Sequence, residues 1–173
     1  MKKISGMQKS LNNQANPFAG RDADRADIWD MLVQRDIEAF VAADWSLVAD
    51  DFDAPAFFGI DGGKVANPDD WTLGFPDLET YRIEWLRQAQ EFAETDFAED
   101  ARAAIFGATR LTEIEINGAR AVAHKKFDGR IHKADGGEDR LLWQTLYFCV
   151  RKDGRWKISG FAGYLPNPLE AAS

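Results

Sequence analysis

Two aromatic-rich runs flank Lys152-Asp153-Gly154-Arg155, and they constrain this chain more than any other stretch. Asp-Gly between strand-like runs signals a two-residue hairpin turn in which both residues take φ > 0. The turn sets Lys152 opposite Arg155. Counting back, it sets Cys149 opposite Ile158, Tyr147 opposite Gly160, Thr145 opposite Ala162 and Trp143 opposite Tyr164. These residues share a face with Trp156, and Val150, Phe148, Leu146, Phe161 and Ser159 occupy the other. Neither face is polar. An antiparallel sheet commonly keeps one face wet, so both faces are expected to be covered, one by helices of this chain and the other by a second subunit. On the first face Trp143, Tyr147 and Tyr164 lie near Gly160 and Ala162. Bulky aromatics beside missing side chains make either a pocket or a packed core whose hydroxyls find backbone partners.

A chain of 173 residues fits one domain with a substantial core. The expected domain spans 23–168, with flexible tails at 1–22 and 169–173. Six Trp and twelve Phe favour a large core, a cavity or an interface. The net charge of −8 argues against non-specific binding to nucleic acid or to an anionic membrane, both of which want basic surfaces. Cys149 is the only cysteine, so no intramolecular disulfide forms. It reads as core packing rather than as a thiol nucleophile. Met1-Lys2-Lys3 resembles the start of a signal peptide, but Ser10-Leu11-Asn12-Asn13-Gln14 is no apolar segment. A cytoplasmic location is the expectation, and no apolar run reaches membrane-spanning length.

In chain order, Asp24 reads as the N-cap of a first helix with an apolar stripe of Trp29, Leu32, Val33, Ile37, Phe40 and Val41. A short second helix is expected near Trp45 to Phe52. Asp50, Asp51 and Asp53 fail the calcium-loop template and read as a solvated acidic helix end. Residues 56–61 read as a strand stopped by Gly62-Gly63, and 77–94 as a third helix with Tyr81 and Trp85 inward. Asn117-Gly118 marks a second hairpin. Its register puts His124 opposite Leu111 on the solvated face, unless a bulge reverses it. The same register points Arg110 and Lys125 inward, facing each other. Two facing cations in a core are costly without an anion. Either they lie at an open rim, or they bind an acidic group, or a bulge has turned them. Residues 132–139 read as a mobile loop.

The order helix, helix, strand, helix, then four long antiparallel strands is an α+β pattern. With the ending Gly154-Arg155-Trp156-Lys157-Ile158 it resembles the NTF2-like superfamily over residues 25 to 165, closest in style to the SnoaL-like and ketosteroid-isomerase-like branches. The resemblance implies three N-terminal helices packed in a curved mixed or antiparallel sheet, a cone with a pocket, and frequent dimerisation through the sheet's outer face. It implies activities such as isomerisation, dehydration or cyclisation by proton transfer, or ligand binding alone. Val48-Ala49-Asp50-Asp51 through Asp61-Gly62-Gly63 looks like the isomerase segment that ends in a general-base aspartate, which makes Asp61 the implied base. Gly62 follows where the isomerases have proline. Asp36 falls near the position of their carbonyl-polarising tyrosine.

The expected chemistry rests on Asp61, with Tyr147 as hydrogen-bond donor and His124 as acid–base partner by type. Each has a plainer reading: a turn cap, core packing and a surface histidine. Ligand contacts are expected from Trp29, Trp45, Trp85, Arg110, Lys125, Trp143 and Tyr164. No spacing for a metal site, phosphate loop, nucleophile elbow or dinucleotide fold is present, so neither metal nor cofactor is expected. Three readings follow: a cofactor-independent proton-transfer enzyme, a binding protein for a hydrophobic small molecule, or a dimeric interaction module.

Overall fold

A computed structural model describes residues 15–169. The expected tails therefore lie largely outside the described residues. Within 15–22, Asn16 donates to the Ala26 carbonyl and to Asp30, and Phe18 packs against the core. The first helix, α1, is capped by Asp22, which accepts from the Arg25 N–H at 3.0 Å. The expected cap, Asp24, instead accepts from the Trp156 indole at 2.9 Å, tying the helix start to the last strand. Helix α1 is α-helical over Ala23–Trp29, widens into a π-helical turn over Asp30–Arg35 and resumes as α-helix over Asp36–Ala42.

The expected second helix is replaced by short 3-10 turns at Trp45–Leu47 and Ala49–Asp51. The chain is pulled straight there, because the Asp53 N–H donates to the Ile158 carbonyl and Phe52 bridges to Ile158. Strand β1 covers Phe58–Asp61 and an unexpected strand β2 covers Thr72–Phe75. Helix α2 spans Leu78–Glu94, close to the expected 77–94, and is capped by Asp77. A further helix, α3 at Ala101–Ala108, is capped by Asp100, which accepts from the Ala103 N–H. Strands β3 (Thr109–Asn117), β4 (Arg120–His132), β5 (Glu138–Lys152) and β6 (Arg155–Leu165) complete the chain. The expected loop at 132–139 is only a tight turn at its centre. Its ends belong to β4 and β5, which pair regularly from Arg120↔Val150 to His132↔Glu138.

The six strands lie in the order β2-β1-β6-β5-β4-β3, with β1 parallel to β6 and the other pairs antiparallel. Asp153 and Gly154 both have positive φ, as the hairpin turn requires. The expected register holds from Lys152↔Arg155 to Cys149↔Ile158 and then slips. Tyr147 pairs with Phe161 and Gln144 with Leu165, because β6 carries bulges near Ser159 and near Gly163-Tyr164. The first bulge turns Phe161, expected on the outer face, into the interior. There its ring centroid lies 5.0 Å from that of Tyr81. Gly59 makes room: a Cβ there would sit 2.7 Å from the Phe161 ring.

The first long hairpin turns at Gly118-Ala119, one residue later than expected, and pairs Asn117 with Arg120. The shift in pairing is two residues, so Ile114 and Ile116 still share the inner face with Ala123 and Ala121. The core lies between this inner face and the helices, around Ile28, Leu32, Phe106, Ile131 and Trp156.

The Asp51 carboxylate corrects another expectation. It is only 1% exposed, and it accepts from Arg35 at 3.0 Å and from Arg155 at 2.7 Å. Asp53 pairs with Lys152 at 2.7 Å. These acids fasten the connection after α1 to the end of the β5–β6 hairpin. Asp51→Ala is expected to lower the unfolding free energy by about 2 kcal/mol. That is less than for a fully buried pair, because the half-exposed arginines regain water when the carboxylate is removed. Urea denaturation measures this, and a loss below about 0.5 kcal/mol contradicts the clamp.

Candidate functional site

The helices and the inner sheet face enclose a cavity of about 370 Å³, within the roughly 300–1,000 Å³ typical of small-molecule sites. Its walls are mainly aromatic. Helix α1 supplies Phe40, α2 supplies Tyr81, Trp85 and Phe92, and the sheet supplies Phe127, Trp143, Tyr147, Phe161 and Tyr164. The alternation of β5 brings Leu141, Trp143, Thr145 and Tyr147 to one face, so the rings stand side by side. Phe127 and Trp143 lie across the β4–β5 pair with ring centroids 4.5 Å apart.

Two carboxylates line the cavity as well: Asp139 from the start of β5 and, from within the apolar stripe of α1, Asp36. Asp36 lines the cavity and is about one-third exposed. Its Oδ2 accepts from Lys125 Nζ at 2.8 Å. Lys125 is wholly buried, and its ammonium also donates to the Leu32 carbonyl at 2.5 Å. Leu32 belongs to the π-helical turn, a widened arrangement often found at functional sites. Lys125 thus bonds both that turn and the first residue after it.

Tyr81 and Tyr147 border the cavity close to Asp36, and the three also surround a small void beneath it. Burial pushes the Tyr81 phenol well above the usual tyrosine range, with Tyr147 and Asp36 adding to the effect. Burial does the same for Tyr147, assisted by Asp36 and Tyr164. Both phenols therefore stay neutral near pH 7 and retain a proton to donate. Tyr164 is also raised by burial, partly opposed by its bond to Gln88, whose Oε1 accepts from the hydroxyl at 3.1 Å.

Of the residues expected at the site, the cavity brings together Tyr147, Trp85, Trp143 and Tyr164. The others lie elsewhere. Asp61 ends β1 at a shallow groove on the rim, and its Oδ1 accepts from the Gly63 N–H at 2.8 Å, which is the turn-capping alternative. His124 sits on the outer face between Glu113 and Gln144. Trp29 is packed in the core. Trp45 stacks on Phe52 at 5.0 Å and does not reach the cavity wall. Arg110 faces Lys126 rather than Lys125, because the later turn moves the register by two residues and a bulge between Arg110 and Glu113 moves it back by one; its guanidinium donates to the Gly107 and Thr109 carbonyls. Lys125 points inward as expected, and its anion is Asp36 rather than a ligand.

Sequence reasoning missed Asp36 as a site residue. Its signal was position: it lies four residues after Leu32 and four before Phe40, inside an otherwise apolar stripe. Cys149 is core, as expected, and burial pushes its thiol up to about 12, so it carries no thiolate at neutral pH. Among the described residues no group of three or more His, Cys, Asp or Glu gathers as a metal site would require. No helix there is long and apolar enough to cross a membrane.

No family model and no curated protein matches this sequence. Solved structures do match its shape. An NTF2-like protein of unknown function from Pseudomonas putida aligns with TM-score 0.55 and 15% identity, covering 87% of this chain and 94% of that one. A protein of unknown function from Mycobacterium tuberculosis aligns with TM-score 0.52 and 15% identity, covering 85% of this chain and 74% of that one. An NTF2-like protein of unknown function from Silicibacter pomeroyi aligns with TM-score 0.50 and 13% identity, covering 82% and 94%. With its helices laid in a curved six-stranded mixed sheet, this chain has the NTF2-like fold.

Proposed function

We propose that this chain binds a hydrophobic, oxygen-bearing small molecule in its cavity and moves a proton on it without a cofactor, as an isomerase, dehydratase or cyclase of the SnoaL-like or ketosteroid-isomerase-like kind. One observation carries the reading. A carboxylate, Asp36, stands close to two neutral phenols, Tyr81 and Tyr147, in a cavity walled largely by aromatic and aliphatic side chains. The chemistry that suits this set is proton abstraction next to a carbonyl. Asp36 accepts the proton, the electron pair passes to the carbonyl oxygen, and a phenol donates a hydrogen bond to the oxygen as its charge grows. Asp36 then returns the proton to another carbon. This assigns to Asp36 the role that the sequence resemblance gave to Asp61. Ligand binding without chemistry is the second reading, favoured by the commitment of one Asp36 oxygen to Lys125.

Two measurements separate these readings. N-phenyl-1-naphthylamine, a neutral probe that fluoresces in apolar sites, is expected to bind saturably at one site per chain; no saturable binding contradicts both. In heavy water the protein is expected to accelerate deuterium uptake at the carbon beside the carbonyl of 2-tetralone, and Asp36→Asn to slow it by about 100-fold. Probe binding with no acceleration over buffer leaves only the binding reading.

We infer further that the outer sheet face pairs with a second copy of the chain. Phe58 and Val122 are about 40% exposed there, and Leu142, Leu146 and Phe148 beside them are half-buried. Such an apolar sheet face, crossing β1, β5 and β4, is what an isologous interface covers. Light scattering is expected to give twice the chain mass for the wild type and the single mass for Phe148→Glu. A monomeric wild type contradicts the pairing.

A further inference from the structure

The mouth of the cavity is built from strained backbone. Four described residues other than glycine have left-handed φ. Ala43 ends α1 and Asp153 sits in the β5–β6 turn, where such a backbone is usual. The other two, Lys64 at φ 58° and Tyr164 at φ 53°, meet each other. The Lys64 N–H donates to the Tyr164 carbonyl at 2.6 Å, and next to it the Gly62 N–H donates to the Gly163 carbonyl at 2.8 Å. A left-handed lysine and a left-handed tyrosine persist only where the surroundings hold them, and such strain clusters at ligand clamps and active sites. Here it brings both side chains to the boundary between the cavity and the rim groove, which both residues line.

Lys64 is the mouth's unspent charge. It is exposed, and its ammonium lies 5.0 Å from the centroid of the Trp143 ring. No carboxylate among the described residues pairs with it. The acids nearby have other partners: Asp61 caps the Gly63 turn, Glu84 is held by Arg87 and Gln88, and Asp139 pairs with Lys133 at 2.7 Å. A lysine ammonium carries three donors, and an aromatic face engages it from one side only. The interior has the opposite character, with Asp36 and the neutral phenols. An anion entering head first would find the ammonium beside Asp36, that of Lys125, wholly buried and already bonded to Asp36 and the Leu32 carbonyl, so the deep end offers it no free cation.

We propose that the cavity is selective for an amphipathic organic carboxylate, bound with its apolar body among the aromatic walls and its charged head on Lys64 at the mouth. This inference rests on the small-molecule reading of the cavity. The orientation follows from charge. The end that carries the carboxylate stays at Lys64, and the far end of the molecule is delivered to Asp36, Tyr81 and Tyr147.

Isothermal titration of the full chain with 2-naphthoate and pyrene-1-carboxylate, each beside its primary amide, tests the proposal. The carboxylates are expected to bind about tenfold more tightly than the amides, the scale of one charge-assisted hydrogen bond. Lys64→Met is expected to abolish that ratio, chiefly by weakening the carboxylates, whereas Lys64→Arg keeps it. Equal affinities in the wild type, or a preference that survives in Lys64→Met, overturn the role of Lys64 while the pocket stands. Absence of saturable binding by all four compounds overturns this inference together with the pocket.

Discussion

Lys125 is the residue around which the interior is arranged. Burying an ammonium completely is unfavourable unless it is paired and hydrogen-bonded. Lys125 meets that demand twice on α1, at the Leu32 carbonyl and the Asp36 carboxylate. The consequences run in both directions. The lysine comes from the middle of β4, so the pair joins the first helix to the long strand beside the β3 edge of the sheet. It also accounts for a carboxylate inside an apolar stripe, where an unpaired aspartate would be a defect. The π-helical turn contains the first acceptor and ends just before the second, so it belongs to the same arrangement.

The cavity itself is a product of irregular strands. A regular β5–β6 ladder would leave Phe161 outside and Tyr147 opposite Gly160. The bulge near Ser159 brings Phe161 in against Tyr81 and Tyr147, and the second bulge places Tyr164 at the mouth. Bulges bend and twist the strand that carries them, which suits a sheet wrapped around helices. The same irregularity that curves the sheet therefore also supplies the wall and the rim of the site, including the strained contact between Tyr164 and Lys64.

Much of the architecture was readable from residues with strong local preferences. Asp153-Gly154 announced the hairpin because both positions require φ > 0, and the inward spacing of Tyr81 and Trp85 announced α2. What failed were inferences that counted along a strand past a bulge. Ser159 looks like any strand residue, so nothing local signals that Phe161 changes face. Short elements were missed for a related reason. Strand β2 has four residues and α3 has eight, and both are held mainly by tertiary contacts. For the site, the aromatics Trp85, Trp143, Tyr147 and Tyr164 were legible from pattern. That Asp36 rather than Asp61 lines the cavity was not legible, because only tertiary structure shows that one caps a turn while the other meets a buried lysine.

The most direct test of this account is a double-mutant cycle on the central pair, comparing Lys125→Met, Asp36→Leu and the double variant by urea denaturation. A coupling of about 1–3 kcal/mol is expected, with the double variant recovering much of the stability lost by Lys125→Met alone. Effects that add within about 0.3 kcal/mol would mean that the two residues act independently, and the pair would then not be what organises the helix, the sheet and the cavity.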